Sequence, residues 1–278
     1  MKTRLLTVML VLTALVTTAK AEEIDICGLT ITEEIAAQGN LVPTLNSMEN
    51  VTATGNITYD FAKQTLLLEN ATIETDIHKP VIHPLGGKYT IVVKGTNTLS
   101  TTSVNPPYQV IDMSYSSDDV TITGESDGEL TLYSKNWYGI KLTRGLLTIE
   151  NIMLNANVGN GSGQGICYNN DKGGSLVLKN VNMKVRSIYR LASIELIDCA
   201  IVEPAGASIL YDEGFKSYYV GVNNDWAFDI VISNGTTGIS AATSAQNSGR
   251  RYNLQGQRVG KEYRGIVVEN GRKRVRKM

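Results

Sequence analysis

Along the middle of the chain, apolar and polar residues alternate in short bursts that stop at Asn, Asp or Gly and resume beyond it. Leu66-Leu-Leu68-Glu-Asn70-Ala-Thr-Ile73 shares its pattern with Leu147-Thr-Ile149-Glu-Asn151-Ile-Met-Leu154, Leu176-Val-Leu178-Lys-Asn180-Val-Asn-Met183 and Ile194-Glu-Leu196-Ile-Asp198-Cys-Ala-Ile201. Ile91-Val-Val93-Lys-Gly95 and Val120-Thr-Ile122-Thr-Gly124 are looser copies. Alternation of period two predicts a strand with one buried face. Asn, Asp and Gly tolerate a left-handed backbone, so each marks a corner, and the apolar residue beyond it begins a second strand facing the same core. The starts at 66, 91, 120, 147, 176 and 194 recur at intervals of 25, 29, 27, 29 and 18 residues. Such spacing suits stacked coils with loops of variable length. A β-sandwich would show tight two-residue turns, and these corners lack the Asn-Gly signal. The pattern predicts an all-β chain, a right-handed parallel β-helix (solenoid) with a small C-terminal β-hairpin module.

The flanks complete the layout. Residues 41–60 read as opening strands or a cap, and Thr32-Glu-Glu-Ile-Ala-Ala37 is the one helix-like stretch, suited to cover the open end. Phe215, Tyr218, Tyr219, Trp226 and Phe228 are expected to pack a C-terminal cap. Thr236–Ser248 has the composition of a flexible linker. Beyond it, Gly265–Glu269 and Arg272–Lys277 form a hairpin through Asn270-Gly271, a type I′ turn signal. At the other end, Met1-Lys-Thr-Arg4, the apolar Leu5–Val16 and Ala19-Lys20-Ala21 follow the order of a cleavable secretory leader. The apolar run is too short to span a bilayer comfortably, which takes about 20 residues. The expected organisation is a leader over 1–21, a β-helix with its cap over 22–235, a linker over 236–248 and a tail module over 249–278.

Composition sharpens this division. The 278 residues carry a formal net charge of -1, with 6% aromatic residues and 26 glycines. That near-neutrality hides a split: the tail from Gly249 holds ten Lys or Arg against two Glu. Without tail and leader, the body has 13 basic and 25 acidic residues, a net -12. An acidic body argues against nucleic acid as a partner, since binding it needs Lys and Arg to displace phosphate counterions.

From Val120-Thr-Ile-Thr-Gly-Glu-Ser-Asp-Gly-Glu-Leu-Thr-Leu132 through Tyr138-Gly-Ile140, Leu146–Asn151, Gly165-Ile166 and Ser175–Asn180, the body resembles secreted β-helical carbohydrate-binding domain proteins over roughly residues 50–205. The resemblance implies a parallel β-helix and a polysaccharide or glycan as partner. Arg251-Tyr-Asn-Leu-Gln-Gly-Gln-Arg-Val259 and Arg264-Gly-Ile-Val-Val-Glu-Asn-Gly-Arg-Lys-Arg-Val-Arg-Lys277 resemble the end of Por-type (type nine) secretion C-terminal sorting domains. Here Val267 replaces the usual aromatic. This second resemblance implies export and sorting machinery as a partner of the tail, and a secreted, cell-surface or periplasmic location.

The chemistry is sparse. No nucleophile elbow, His-Glu-x-x-His or phosphate-cradling Gly loop is present. His78 and His83 lack an evident third metal ligand. Asp118, Asp119, Glu125 and Asp127 are the one dense acidic group, a candidate calcium site, although calcium takes six to eight oxygens. Asp118 and Asp119 are adjacent, so on a strand they would face opposite ways rather than act as a pair of catalytic acids. Cys167 and Cys199 lie on neighbouring repeats and could pair, although buried free thiols suit an odd total of three cysteines better. Aromatic rings stack on sugar rings, and Trp137, Tyr138, Tyr168, Tyr108 and Tyr115 fall in loops between coils. The expectation is a noncatalytic glycan-binding protein. A divergent polysaccharide lyase or hydrolase and a protein-binding surface adhesin are its rivals.

Overall fold

The computed structural model describes residues 23–103, 108–114, 118–135, 137–158, 165–168 and 173–235, with the strands Arg251–Tyr252, Gly265–Glu269 and Arg272–Arg276. The expected leader and linker, the Asn270-Gly271 turn and Tyr115 lie outside these residues. The chain forms a parallel β-solenoid of about four turns with very little helix.

Each coil has three faces. The first two belong to one bent sheet: Thr65–Thr75, Lys88–Thr101 and Asp119–Ser134 each run across both. Later coils split the same path into Leu146–Glu150 then Met153–Val158, and Ser175–Lys179 then Asn182–Val185. The third face stacks Ile82–Pro84, Ile111–Met113, Ile140–Leu142, Ile166–Cys167 and Ile188–Tyr189 in a second sheet, parallel throughout. Inward residues of all three faces form one continuous aliphatic core.

The core ladder runs Leu66, Ile91, Ile122, Ile149, Leu178 and Leu196, each paired with the next. The repeat as read from sequence instead aligned Leu66 and Ile91 with Val120 and Leu147, two residues too early. Because side chains alternate with period two, a two-residue slip leaves every residue on its correct face. The left-handed corners occur at Asn70, Gly95, Asn151, Asn180 and Asp198, with φ of 48–64°. The third coil differs. Gly95 alone stands opposite residues 126–128, and the positive φ there belongs to Asp127, at 65°, not to Gly124. Gly124 still has no room for a side chain, since a Cβ would lie 2.3 Å from the Asn151 carbonyl oxygen of the next coil.

Both ends are closed by antiparallel strands, which cover edges that would otherwise template further pairing. Val51–Asp60 runs antiparallel to the first coil, and Ile24–Ile26 pairs antiparallel with both Leu29–Ile31 and Ile82–Pro84. The helix-like stretch forms a single turn, Glu33–Ala36, capped by the Thr32 side chain, and Val42–Asn46 adds a second. At the far end, Ile230–Ser233 inserts antiparallel between Asn182–Val185 and Ala200–Glu203. A separate three-stranded meander, Ser208–Asp212, Ser217–Val222 and Asp225–Trp226, completes the cap.

The chain divides into two compact units between Asn234 and Gly235. In the second, Gly265–Glu269 pairs antiparallel with Arg272–Arg276, in the register expected of the hairpin, and Arg251–Tyr252 adds to its edge.

Candidate functional site

The third face, with the N-terminal strand that pairs onto it, places an outward residue after each inward isoleucine. In register these are Asp25, His83, Asp112, Lys141, Cys167 and Tyr189. Asp112 is only 7% exposed and accepts hydrogen bonds from Gln109 Nε2 and Ser114 Oγ, which flank its own strand. Lys141 Nζ lies 3.5 Å from Asp112 Oδ2 and 3.3 Å from Ser114 Oγ. Burial pushes the His83 pKa below its ordinary value, with Asp112 and Asp25 opposing and Lys141 and Lys79 adding to the shift. Desolvation raises the pKa of the Cys167 thiol and of the Tyr138 and Tyr189 hydroxyls. These three form a closed cluster with Tyr219, against which Trp137, Leu210 and Trp226 pack. Cys167 and Cys199 are both free thiols.

The aromatic candidates separate at the corner before this face. Tyr138 is 3% exposed, so its ring has no open face for a sugar. Trp137 beside it is half-buried, with ring centroids 4.6 Å apart. Tyr108, also half-buried, occupies the equivalent place one coil earlier and lies 6.3 Å from the His78 ring of the coil before that. Ser134 joins the two: its hydroxyl donates to the Tyr108 carbonyl at 2.9 Å and accepts from the Trp137 N–H at 3.1 Å. His78 is fixed by a 2.9 Å contact between Nδ1 and Ser103 Oγ. His78, Tyr108 and Trp137 thus line one edge over three consecutive coils. Tyr168 is half-buried on the opposite side of the third face, after Cys167.

The acidic group does not assemble. Asp118 is fully buried, while Asp119 opens its strand and Glu125 and Asp127 sit exposed near the far corner. Six strand residues at about 3.3 Å each put Asp119 and Glu125 roughly 20 Å apart. Among the described residues, no three His, Cys, Asp or Glu side chains gather as a metal site. The four carboxylates therefore do not fit a shared calcium ion.

Sequence reasoning missed the third-face column and a shallow groove of about 390 Å³ on the first face. Lys63, Lys88, Thr90, Thr121, Leu146 and Thr148 line the groove, crossing four coils. The signal for the column was six isoleucines, from Ile24 to Ile188, each followed by the outward residue. Comparison with protein-family models, curated proteins and solved structures finds no match to this chain.

Proposed function

We propose that the protein is an exported, noncatalytic glycan-binding solenoid. The observation that carries this reading is the aromatic edge: half-exposed Tyr108 and Trp137 at equivalent positions of consecutive coils, tied through Ser134. Flat apolar rings beside polar groups suit the alternating C–H and hydroxyl faces of a sugar. Asp112, with both carboxylate oxygens engaged by Gln109, Ser114 and Lys141, acts as a brace between its own strand and the next coil rather than as an acid or base.

The leader and the basic tail support secretion or surface attachment, with the tail engaging export and sorting machinery. Deleting residues 249–278 should then change cellular location and leave the melting behaviour of the body intact.

The test of binding is a glycan array with intact protein and with Tyr108→Ala and Trp137→Ala, both checked for an unchanged melting temperature. Loss of a glycan signal in both variants is expected. Depolymerisation of a polysaccharide, abolished by Asp119→Ala, would replace this reading with a lyase or hydrolase. Protein ligands without any glycan signal would make it an adhesin.

A further inference from the structure

The first-face groove lies on a different face from the aromatic edge and has a different character. Thr65, Thr90, Thr121 and Thr148 stand in register on four successive coils, all half-exposed. Adjacent strands are about 4.8 Å apart, so the column offers a hydroxyl at that interval along the solenoid axis. One pyranose unit of an extended β-linked chain advances by a similar length. A linear polymer laid along the axis therefore meets an equivalent hydroxyl at every unit, whereas a compact oligosaccharide meets only one or two. Leu146, 36% exposed, gives this polar track an apolar spot for the C–H face of a ring.

Charge narrows the polymer further. The body is strongly acidic and Asp119 lines the groove, yet Lys63 and Lys88 set two cations against that one carboxylate at one end of it, with side chains 78% and 85% exposed. Lys63 lies 2.7 Å from Asp60 and Lys88 lies 3.9 Å from Asp119, both pairs open to solvent. Exposed pairs of this kind are weak and exchange readily for another carboxylate.

We propose that this groove binds a linear, extended polysaccharide bearing carboxylates. The threonine column hydrogen-bonds the sugar hydroxyls, Leu146 covers a ring face, and Lys63 and Lys88 recognise the charge. The inference rests on the protein being a glycan binder but not on the aromatic edge, so the two can fail separately.

Carboxymethylcellulose and hydroxyethylcellulose share one linear backbone and differ in charge, which makes them suitable probes for affinity electrophoresis with the full chain. The charged polymer should bind about fivefold more tightly at low salt, as two exposed ion pairs would give, and the gap should close as salt rises. Lys63→Gln with Lys88→Gln should remove the gap. Thr121→Val with Thr148→Val should weaken both polymers, and Trp137→Ala should change neither. Equal binding of the two polymers, or no binding of either, overturns the groove as a carboxylate-reading site. Binding lost on Trp137→Ala and untouched by the groove variants would also overturn it, while leaving the glycan-binding reading in place.

Discussion

Asn97 is a single side chain that holds three coils together. It is fully buried, and its Oδ1 accepts the Ala71 N–H of the preceding coil at 2.8 Å. Its amide donates to the carbonyls of Lys94 and Gly95 at 3.1 and 3.0 Å and reaches that of Glu129, one coil on, at 3.4 Å. Removing it strands a buried N–H and leaves the carbonyls without their donor. Asn97→Ala should therefore lower unfolding stability by about 2–4 kcal/mol, measured by urea denaturation. On the surface, corner amides link in a similar way: Asn234 donates to Asn180 at 3.0 Å, and Asn180 to Asn151 at 2.8 Å. Most corners were legible because Asn, Asp and Gly lie in the left-handed region for a local steric reason that sequence carries. Asp127 was not, because an insertion can shift the corner without altering the apolar pattern on either side. Nor was the burial of Tyr138, which depends on a cluster formed with Tyr189 and Tyr219 from much later in the chain.

The third-face strands are elements of two or three residues, too short for a period-two pattern to show within any one of them. Their neighbours in the long first and second faces contribute 14 and 16 residues in single strands and dominated the sequence signal. What the short strands share is Ile at the inward position, stacked from Ile82 through Ile188. The outward column they create has a pH consequence. Because burial lowers the folded pKa of His83, the unfolded chain binds the proton more readily. His83 thus contributes stability that is fully present above the unfolded value, about pH 6.5, and is lost as pH falls through the folded one. Urea midpoints should fall on going from pH 7 to pH 5, and His83→Gln should flatten that fall. An identical slope in the variant would show that the column is not the source.

Across the whole molecule, the solenoid was legible because one short template recurred six times, and the segments that close it were legible as caps, whereas the antiparallel pairing of those closures was not, since each is used once. Ile230–Ser233 shows why the end of the first unit matters. Ile230 and Ile232 are 0% and 1% exposed, and their strand runs antiparallel between two coils. Two such side chains account for at least about 3 kcal/mol by area alone. A chain ending at Gly235 should melt like the intact body, and one ending at Asp229 should lose at least that much stability. The N-terminal closure has its own bias: residues 23–60 contain six Asp or Glu and no Lys or Arg. Between the two closures the strands of every coil pair only with those of the coil before and the coil after, so the backbone of the fold is close to one-dimensional. This gives the protein a particular route of descent and of engineering. It can gain or lose length only from within, by duplicating or deleting a middle coil such as residues 146–174, because a copy inserted there finds the same neighbours above and below. Growth at either end would have to begin by destroying a terminator.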